Sequence, residues 1–463
     1  MQRVPSIRIV DAQLETLDCS TRLPFRFGIH TLTGAPYATA TVVVETSDGV
    51  RGRGAASDLL VPKWFQKDAS MTPQEDSAAL VASAEAAFKV ALSLPAGTTF
   101  GLWRELYQER VASQPRQNPD LLVRGFGVAL LERAMMDAVC RLEGCSFHSA
   151  LSTGLFGFRP AEIHSELEGW NLAEELPPQP AQKIHLRHTV GLLDALTDQD
   201  LDPDFAPDDG FPNTLEQDVR TYGLRYFKIK VAGRGQEDVD RLLEVSRVLS
   251  QCGVDRPRIT IDGNEQFADM AQMAELLAKV HADPDGKNFL LSLELIEQPL
   301  SRDHTFDPDR NAELKAVSEY APVIIDEADF GTWSFPDAIE LGYQGISIKA
   351  CKGVFRALLN RGICSRRGGA LFQSGEDLTN LPVRALQQDL CLMATLGIKH
   401  VERNGHHYFR GLDHLPTLEA EEALSAHPDL YHRAADSIAL AVHEGQLSIA
   451  SLNSAGFGCR LDP

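Results

Sequence analysis

The sequence predicts an α/β protein, a TIM-type barrel that follows a smaller α+β region. From about residue 183 onward, eight short apolar segments alternate with helical segments, which is typical of parallel strands joined by crossover helices. Five successive segments end in charged residues spaced 23 to 35 residues apart, close to the roughly 31 residues of one barrel unit. In residues 6 to 60, apolar and polar residues alternate instead, which predicts an antiparallel meander. Together these observations favour a barrel with an additional domain.

Composition excludes several classes of protein. The chain has 463 residues, of which 43% are hydrophobic and 24% charged, so a sizeable core is expected. Its net charge of −21 repels phosphate backbones and disfavours nucleic-acid binding. The 8 scattered cysteines form no C-x-x-C pair and indicate reduced thiols. Without a signal-like segment or a long apolar run, we expect a cytoplasmic protein with no membrane association.

The N-terminal region is predicted to form strands and then helices. A strand, a turn at Asp48-Gly49 and a second strand are indicated within "ATATVVVETSDGVRGRGAA". Apolar residues at helical spacing predict helices over 75–94 and 124–144, and Gly144 is the expected stop of the second helix.

Two segments, 166–182 and 193–212, are predicted to be loops. The second is strongly acidic, and from Asp198 it superficially resembles an EF-hand loop. The sixth position of that loop is Pro203 where glycine is needed, and the twelfth is Asp209 where glutamate is usual. A solvated acidic insertion is therefore favoured over a calcium site.

The eight barrel strands are predicted from short apolar and β-branched segments. They are "IHLRHTVGL", "YFKIKV", "RITID", "LSLELIE", "PVIID", "GISIKA", "ALFQS" and "IKHVE". Charged residues at the carboxyl ends of barrel strands face the active site. A single acid after a strand is often only a helix cap, but five charged ends in succession favour a functional site. They are Lys230, Asp262, Glu297, Asp326 and Lys349.

Three of these residues predict a metal site. Asp262, Glu297 and Asp326 follow strands 3, 4 and 5, and three carboxylates repel one another in a dry cavity unless a cation joins them. All-oxygen ligation favours Mg²⁺, with Mn²⁺ as an alternative. Zinc would prefer histidine or cysteine, and neither occurs in these segments.

The lysines predict acid–base chemistry. Lys228 and Lys230 point the same way because side chains alternate along a strand, and Lys349 ends strand 6, opposite strand 2 in a ring of eight. A substrate on the metal would then have an amine on either side. Burial and neighbouring cations lower the pKa of a lysine, so that one amine can act as a neutral base. The metal and the other lysine would stabilise the charge that develops.

The chain resembles the enolase superfamily, of the muconate-lactonizing-enzyme type. "KIK" matches the family's Lys-x-Lys, "IDGN" resembles its Asp-x-Asn, "IEQP" its Glu-Gln-Pro and "IIDEA" its Asp-Glu-Ser. "ISIKACKG" resembles the Lys-x-x-Lys-Gly of strand 6, and "LPFRFG" and "LNSAGFGCRLD" are similar to segments of the family's capping domain. The likeness extends over nearly the whole chain.

The resemblance implies a domain organisation and a reaction. We expect an α+β capping domain at 1–150, completed by 430–463, and a (β/α)7β TIM-type barrel at 151–429. The family's common step is Mg²⁺-assisted removal of the proton α to a carboxylate, which gives an enolate. The overall reaction could be racemisation, epimerisation, cycloisomerisation or β-elimination, on a small carboxylate substrate. Homo-oligomers are common in the family.

The resemblance also implies residue roles. Asp262, Glu297 and Asp326 would bind the metal, with Glu327 as the rival of Asp326. Lys230 and Lys349 would be the acid and base, with Lys228 as an auxiliary lysine. Weaker expectations concern residues near the metal or the substrate: Asn264, Glu376, Glu402 and Arg403.

Some family features are missing. Strand 7 lacks the histidine base of mandelate-racemase-type members, strand 8 lacks the Asp-x-Asp of dipeptide epimerases, and "GRGAA" lacks the Trp and Glu usual in the cap. His400, His406 and His407 are expected at the surface or behind the site. A non-catalytic barrel that binds a carboxylate is the alternative function. A metal hydrolase is disfavoured because the sequence shows neither a water-activating histidine nor a second metal cluster.

Overall fold

A computed structural model describes residues 4–202 and 206–463. The N-terminal region begins with an antiparallel sheet of three strands, β1 (Ile7–Phe27), β2 (His30–Thr46) and β3 (Arg51–Leu59), in the order β1-β2-β3. The predicted turn between β2 and β3 is present, and Gly49 has the positive φ of +83° that such a turn requires. The predicted meander is therefore confirmed.

Four helices follow this sheet, α1 (Pro73–Ser93), α2 (Thr99–Tyr107), α3 (Leu121–Leu142) and α4 (Phe147–Ser152). A capping box formed by Thr72 and Glu75 starts α1. Helix α3 ends two residues before Gly144, whose φ is +61°, as the sequence predicts. Because α3 is buried along nearly its whole length, it forms the centre of this region's core.

The second region is a closed barrel of eight parallel strands, each of which occupies one of the eight predicted segments. Strand β11 pairs with β4 and closes the ring. The strands are β4 (Lys183–Val190), β5 (Tyr226–Lys230), β6 (Arg258–Asp262), β7 (Leu293–Glu297), β8 (Val323–Ile325), β9 (Gly345–Ile348), β10 (Phe372–Gly375) and β11 (His400–Arg403).

Helices connect these strands and surround the ring. A short helix, α5 (Leu172–Glu175), precedes the barrel. The connecting helices are α6 (Leu215–Tyr222), α7 (Gln236–Gln251), α8 (Met270–Ala282), α9 (Pro284–Leu290), α10 (Leu314–Ser318), α11 (Ser334–Leu341), α12 (Val354–Arg367) and α13 (Arg384–Leu396). After β11 come α14 (Gly405–Tyr408) and α15 (Thr417–Ala426).

The acidic insertion lies between β4 and α6. Near its end, Asp209 pairs with Arg22 of β1, so the insertion contacts the N-terminal sheet. The comparison with an EF-hand loop depends on Pro203, which lies outside the described residues.

The C-terminal segment returns to the N-terminal helices. Strands β12 (Tyr431–Ala434) and β13 (Ser437–Leu440) form a hairpin, and β14 (Val442–His443) leads to β15 (Gln446–Ser448), which pairs with the start of β4. The ring of Phe457 then stacks on Phe147 of α4 at 3.8 Å, and its amide donates to Asp137 of α3. The predicted domain boundaries stay a prediction.

Two expectations from the sequence concern the cysteines and the length of apolar helices. All eight cysteines are free thiols, which agrees with the absence of a disulfide framework. Within 4–202 and 206–463, the helices are too short or too polar to cross a bilayer.

Strand β3 packs so closely on helix α3 that one position tolerates only glycine. A Cβ atom at Gly54 would lie 2.2 Å from the backbone nitrogen of Ala138 and 2.4 Å from the carbonyl oxygen of Ala134. We expect Gly54→Ala to lower the free energy of unfolding by about 1–3 kcal/mol, because the strand and the helix must separate. Chemical denaturation measures this change.

The matched control is Gly125→Ala. A Cβ there meets no atom within 4 Å, and alanine favours the helix, so stability should hold or rise. Equal stability of the two variants would contradict the packing argument.

Candidate active site

Five charged side chains lie at the carboxyl ends of neighbouring barrel strands, as the sequence predicts. Lys230, Asp262 and Glu297 end β5, β6 and β7, and they are paired across the sheet. Asp326 and Lys349 directly follow β8 and β9. All five are at most 6% exposed, so this end of the barrel holds an unusual density of buried charge.

Lys228 lies at the centre of this charge cluster. Its Nζ is 2.6 Å from Glu297 and 3.0 Å from Asp262, and it donates to Glu376 at 2.9 Å and Glu402 at 2.8 Å. Burial lowers the pKa of Lys228, but the carboxylates of Asp262 and Glu297 raise it by more, so it lies well above its usual value. Lys228 is therefore a buried cation that joins four barrel strands.

Lys230 and Lys349 line one cavity beneath the N-terminal region. Lys230 Nζ donates to Asp262 at 2.6 Å, and Lys349 Nζ donates to Asp326 at 2.5 Å. Asn264 and Glu402 also border the cavity, which has a volume of about 20 Å³. The two amines predicted to flank a substrate thus border a common space.

Burial alone would lower the pKa of Lys349, but the carboxylates of Asp326 and then Glu297 raise it above its usual value. The expectation of a lowered lysine pKa is therefore not met at Lys349 in this structure. The physical reason is that the surrounding carboxylates attract the ammonium group.

Part of the cavity wall is apolar. It is formed by Phe25, Phe27, Val61 and Trp64, and the indole ring of Trp64 lies 4.5 Å from Lys349 Nζ. Phe25 and Phe27 lie near the end of β1, whereas Val61 and Trp64 follow β3.

The predicted metal ligands share one arc of the barrel, but their oxygens are not gathered as tightly as in a formed metal site. Within the described part of the chain, three-residue groups of possible ligands with atoms inside 4.8 Å include only His188, Asp218 and His406. Lys228 lies between Asp262 and Glu297 instead.

The donor set nevertheless fits a divalent cation. Neither oxygen of Glu297 accepts a hydrogen bond, although Lys228 pairs with it. Burial, followed by repulsion from Asp262 and Glu376, raises the pKa of Glu297 well above its usual value. A carboxylate this short of positive charge is a suitable ligand for Mg²⁺.

Asp326 and Glu327 have different partners. Asp326 accepts from Ser347 and Lys349 of the next strand and loop. Glu327 accepts from Asn264 at 3.2 Å, and burial together with repulsion from Asp326 raises its pKa to about 7. Contact with Lys349 favours Asp326 as the third ligand, and this assignment stays a prediction.

The residues predicted more weakly divide into two groups. Glu376 and Glu402 both point into the barrel at Lys228, and Glu402 also borders the cavity. Arg403 pairs with Asp389 and Asp377 and does not border the cavity of the two lysines.

His406 and His407, near the end of β11, are 8% and 2% exposed. Of the two positions expected for them, the surface is excluded and a position behind the site remains. Together with His188 and Asp218 they form a cluster of metal-ligand type, so the expectation of no second metal cluster, by which a metal hydrolase was disfavoured, is not met. His188 and Asp218 were missed because they lie 30 residues apart with no motif between them.

Other residues of the site were also missed. Arg187 of β4 pairs with Glu376 inside the barrel, and Lys352 lies 3.3 Å from Asp326. Because side chains alternate along a strand, Arg187 and Thr189 of "IHLRHTV" lie on one face. This alternation could have identified Arg187 as a residue that points into the barrel. Trp64 follows β3 in a loop without any motif, so no signal in the sequence identifies it.

One prediction concerns Lys228. Replacing Lys228 with methionine leaves four buried carboxylates without their shared cation, so we expect a loss of about 3–5 kcal/mol in the free energy of unfolding. Denaturant titration in the presence of a chelator measures it. Lys183→Met, at an exposed lysine of β4, is the matched control. A loss no larger than that of the control would show that Lys228 does not hold the cluster together.

Comparison with known proteins gives a match in structure alone. No family model and no curated protein sequence matches the chain. A muconate lactonizing enzyme from Pseudomonas fluorescens, solved with muconolactone, is 13% identical, with a TM-score of 0.62 over 98% of this chain and 97% of that one. An enolase from Bradyrhizobium, solved with magnesium and mandelic acid, is 15% identical, with a TM-score of 0.59 over 97% and 94%.

A third match is the dipeptide epimerase from Enterococcus faecalis V583, solved with Mg and the dipeptide L-Leu-L-Tyr. It is 13% identical, with a TM-score of 0.59 over 97% of this chain and 99% of that one. These neighbours are enzymes, and the matches extend over almost their full length. The chain therefore has the fold of the mandelate racemase and muconate lactonizing enzyme structures, a TIM barrel with an N-terminal capping domain.

Proposed function

We propose that the protein is an isomerase or lyase of the enolase superfamily that removes the proton α to the carboxylate of a small acid and forms an enolate. The observation that carries this proposal is the shared cavity of Lys230 and Lys349, whose amines donate to the carboxylates of Asp262 and Asp326. The ligands of the structural neighbours support it, because mandelic acid, muconolactone and the dipeptide all contain a carboxyl group.

Asp262, Glu297 and Asp326 would hold one Mg²⁺, or Mn²⁺ in its place. When bound, the ion would supply positive charge beside the carboxylate of the substrate. Magnesium in two of the neighbouring structures supports this choice. Lys228 supports the same carboxylates from inside the barrel.

The two lysines would transfer the proton. One of Lys230 and Lys349, in its neutral form, accepts the α proton on Nζ, so that a C–H bond breaks, an N–H bond forms and the electron pair enters the enolate. The other remains an ammonium group and stabilises the enolate from the opposite side. Return of a proton from that second lysine would invert the carbon, whereas loss of a β substituent would complete an elimination.

The apolar wall limits the substrate. Phe25, Phe27, Val61 and Trp64 offer no charged group to the cavity, so the part of the substrate that faces them should be apolar. Strand β10 supplies Glu376 after Gly375 and no histidine, which argues against the mandelate type of reaction. A cytoplasmic location and a homo-oligomeric assembly stay predictions.

A non-catalytic carboxylate-binding barrel is the second candidate. The contact between Lys349 Nζ and Asp326, at 2.5 Å, favours this alternative, because a carboxylate stabilises the ammonium form of a lysine. Two ammonium groups in one cavity would bind an anion without removing a proton from it.

Solvent deuterium incorporation distinguishes the two candidates. Incubation in D₂O with Mg²⁺ and a library of small carboxylic acids should place deuterium at the α carbon of at least one acid, as detected by mass spectrometry. We expect Lys230→Met and Lys349→Met each to slow the exchange by about 10²–10⁴-fold, while Lys183→Met exchanges at the wild-type rate.

Binding of acids and Mg²⁺ without any exchange would favour the non-catalytic barrel. Unchanged exchange in both lysine variants would contradict the assignment of these residues as acid and base. Circular dichroism of each variant shows whether the fold is retained.

A further inference from the structure

A second cluster of ligand-type side chains lies on the outer side of the barrel wall. Along β4, Arg187 and Thr189 reach the interior carboxylates of Glu376 and Glu402. Because side chains alternate on a strand, His188 faces outward, toward helices α6 and α14. There it meets Asp218 and His406.

The ligand atoms of this cluster are close together. His188 Nδ1 lies 3.0 Å from His406 Nε2, and the other nitrogen of the same ring, Nε2, lies 3.8 Å from Asp218 Oδ2. Only one of these two nitrogens would bind the ion. One nitrogen or oxygen of each of the three residues falls within 4.8 Å of the others. Two imidazole nitrogens 3.0 Å apart either share a proton or bind the same ion, since ligands at about 2.1 Å from one metal lie at such a separation.

Asp218 is a buried carboxylate that lacks hydrogen-bond donors. Its side chain is fully buried, and neither oxygen accepts a hydrogen bond. Its closest partner is His407, whose Nδ1 lies 2.8 Å from Asp218 Oδ2. Burial lowers the pKa of His407, but the Asp218 carboxylate raises it by more. A buried carboxylate is costly without compensating positive charge, and a cation between Asp218 and the imidazoles of His188 and His406 would add to the charge that His407 supplies.

His406 also has a free ring atom beside open space. Its Nδ1 has no partner, and its side chain borders a cavity of about 20 Å³ together with Tyr222 and Phe211. That volume corresponds to about one water molecule, and the cavity borders His406 but not His188 or Asp218.

We propose that His188, Asp218 and His406 bind one divalent transition-metal ion of the Zn²⁺ class, with His407 orienting the carboxylate. Two imidazoles and one carboxylate are a ligand set that suits zinc and its neighbours and does not suit Mg²⁺, which prefers oxygen. The site is distinct from the proposed Mg²⁺ site inside the barrel, because β4 lies between them.

The ion would act as a structural clamp on the barrel. Strands β4 and β11 form the contact that closes the ring, and α14 begins two residues after β11 ends. An ion held by His188 of β4 and His406 of α14 fastens this seam and ties it to α6. Tyr408 Oη donates to Asp194, and Arg22 donates to the carbonyl oxygen of His407, so the acidic insertion and β1 cover the cluster.

Zinc binding in the presence of excess Mg²⁺ tests this proposal, because Mg²⁺ occupies the barrel carboxylates. Metal-stripped protein is titrated with Zn²⁺ against a chromophoric chelator. We expect one Zn²⁺ per chain, a higher melting temperature with Zn²⁺, and an affinity loss of more than about 100-fold in Asp218→Asn and His406→Gln. His407→Gln should lose roughly 10- to 100-fold, as is typical of a residue that orients a ligand.

Two variants serve as controls. Glu297→Gln alters the barrel carboxylates and His427→Gln alters another buried histidine, and both should bind Zn²⁺ as the wild type does. X-ray absorption of the zinc-loaded wild type does not depend on any variant's folding, and it should show two imidazole ligands. Failure to bind Zn²⁺, unchanged affinity in Asp218→Asn, loss in Glu297→Gln, or a spectrum without imidazole would each overturn the proposal.

Discussion

The repulsion among buried carboxylates at the carboxyl end of the barrel is the constraint on which the rest of this site depends. Acids that cannot reach water must be matched by positive charge, and lysines supply most of it here. In the described residues, six acids meet at this end of the barrel: Asp262, Glu297, Asp326, Glu327, Glu376 and Glu402. The cations that contact them most closely are Arg187, Lys228, Lys230, Lys349, Lys352 and, at Glu327, Lys67.

This near balance links the proposed base to the proposed metal. If one lysine becomes neutral to accept a proton, this cluster loses one positive charge, which a bound divalent cation would more than replace. Burial lowers the pKa of Lys349, but the carboxylate of Asp326 raises it by more. A divalent cation held by the same carboxylates would oppose the attraction between Asp326 and the ammonium group and would thereby favour the neutral amine.

Much of this arrangement could be predicted from sequence, because strands and their ends leave local signals. The apolar segments located all eight strands, and the spacing of Lys230, Asp262, Glu297, Asp326 and Lys349 placed them at one end of the ring. The alternation of side chains along a strand also correctly predicted that Lys228 points into the barrel. Each of these predictions depends only on the period of a strand and the geometry of a parallel barrel.

What the sequence could not provide depends on contacts between distant segments. That Lys228 joins four carboxylates requires the distances across the closed ring. Trp64 reaches Lys349 from a loop of the N-terminal region, and His188, Asp218 and His406 come together from three separate elements. None of these contacts has a characteristic spacing in the sequence, so they can be identified only in the folded structure.

Anomalous X-ray diffraction from crystals soaked in Mn²⁺ tests the central claim most directly, because it locates a divalent cation without reference to activity. The account predicts a strong peak within about 2.0–2.3 Å of oxygens from Asp262, Glu297 and Asp326, adjacent to the amines of Lys230 and Lys349. A map with no peak among these carboxylates at saturating Mn²⁺, while Lys228 keeps its contacts with Asp262 and Glu297, would contradict it.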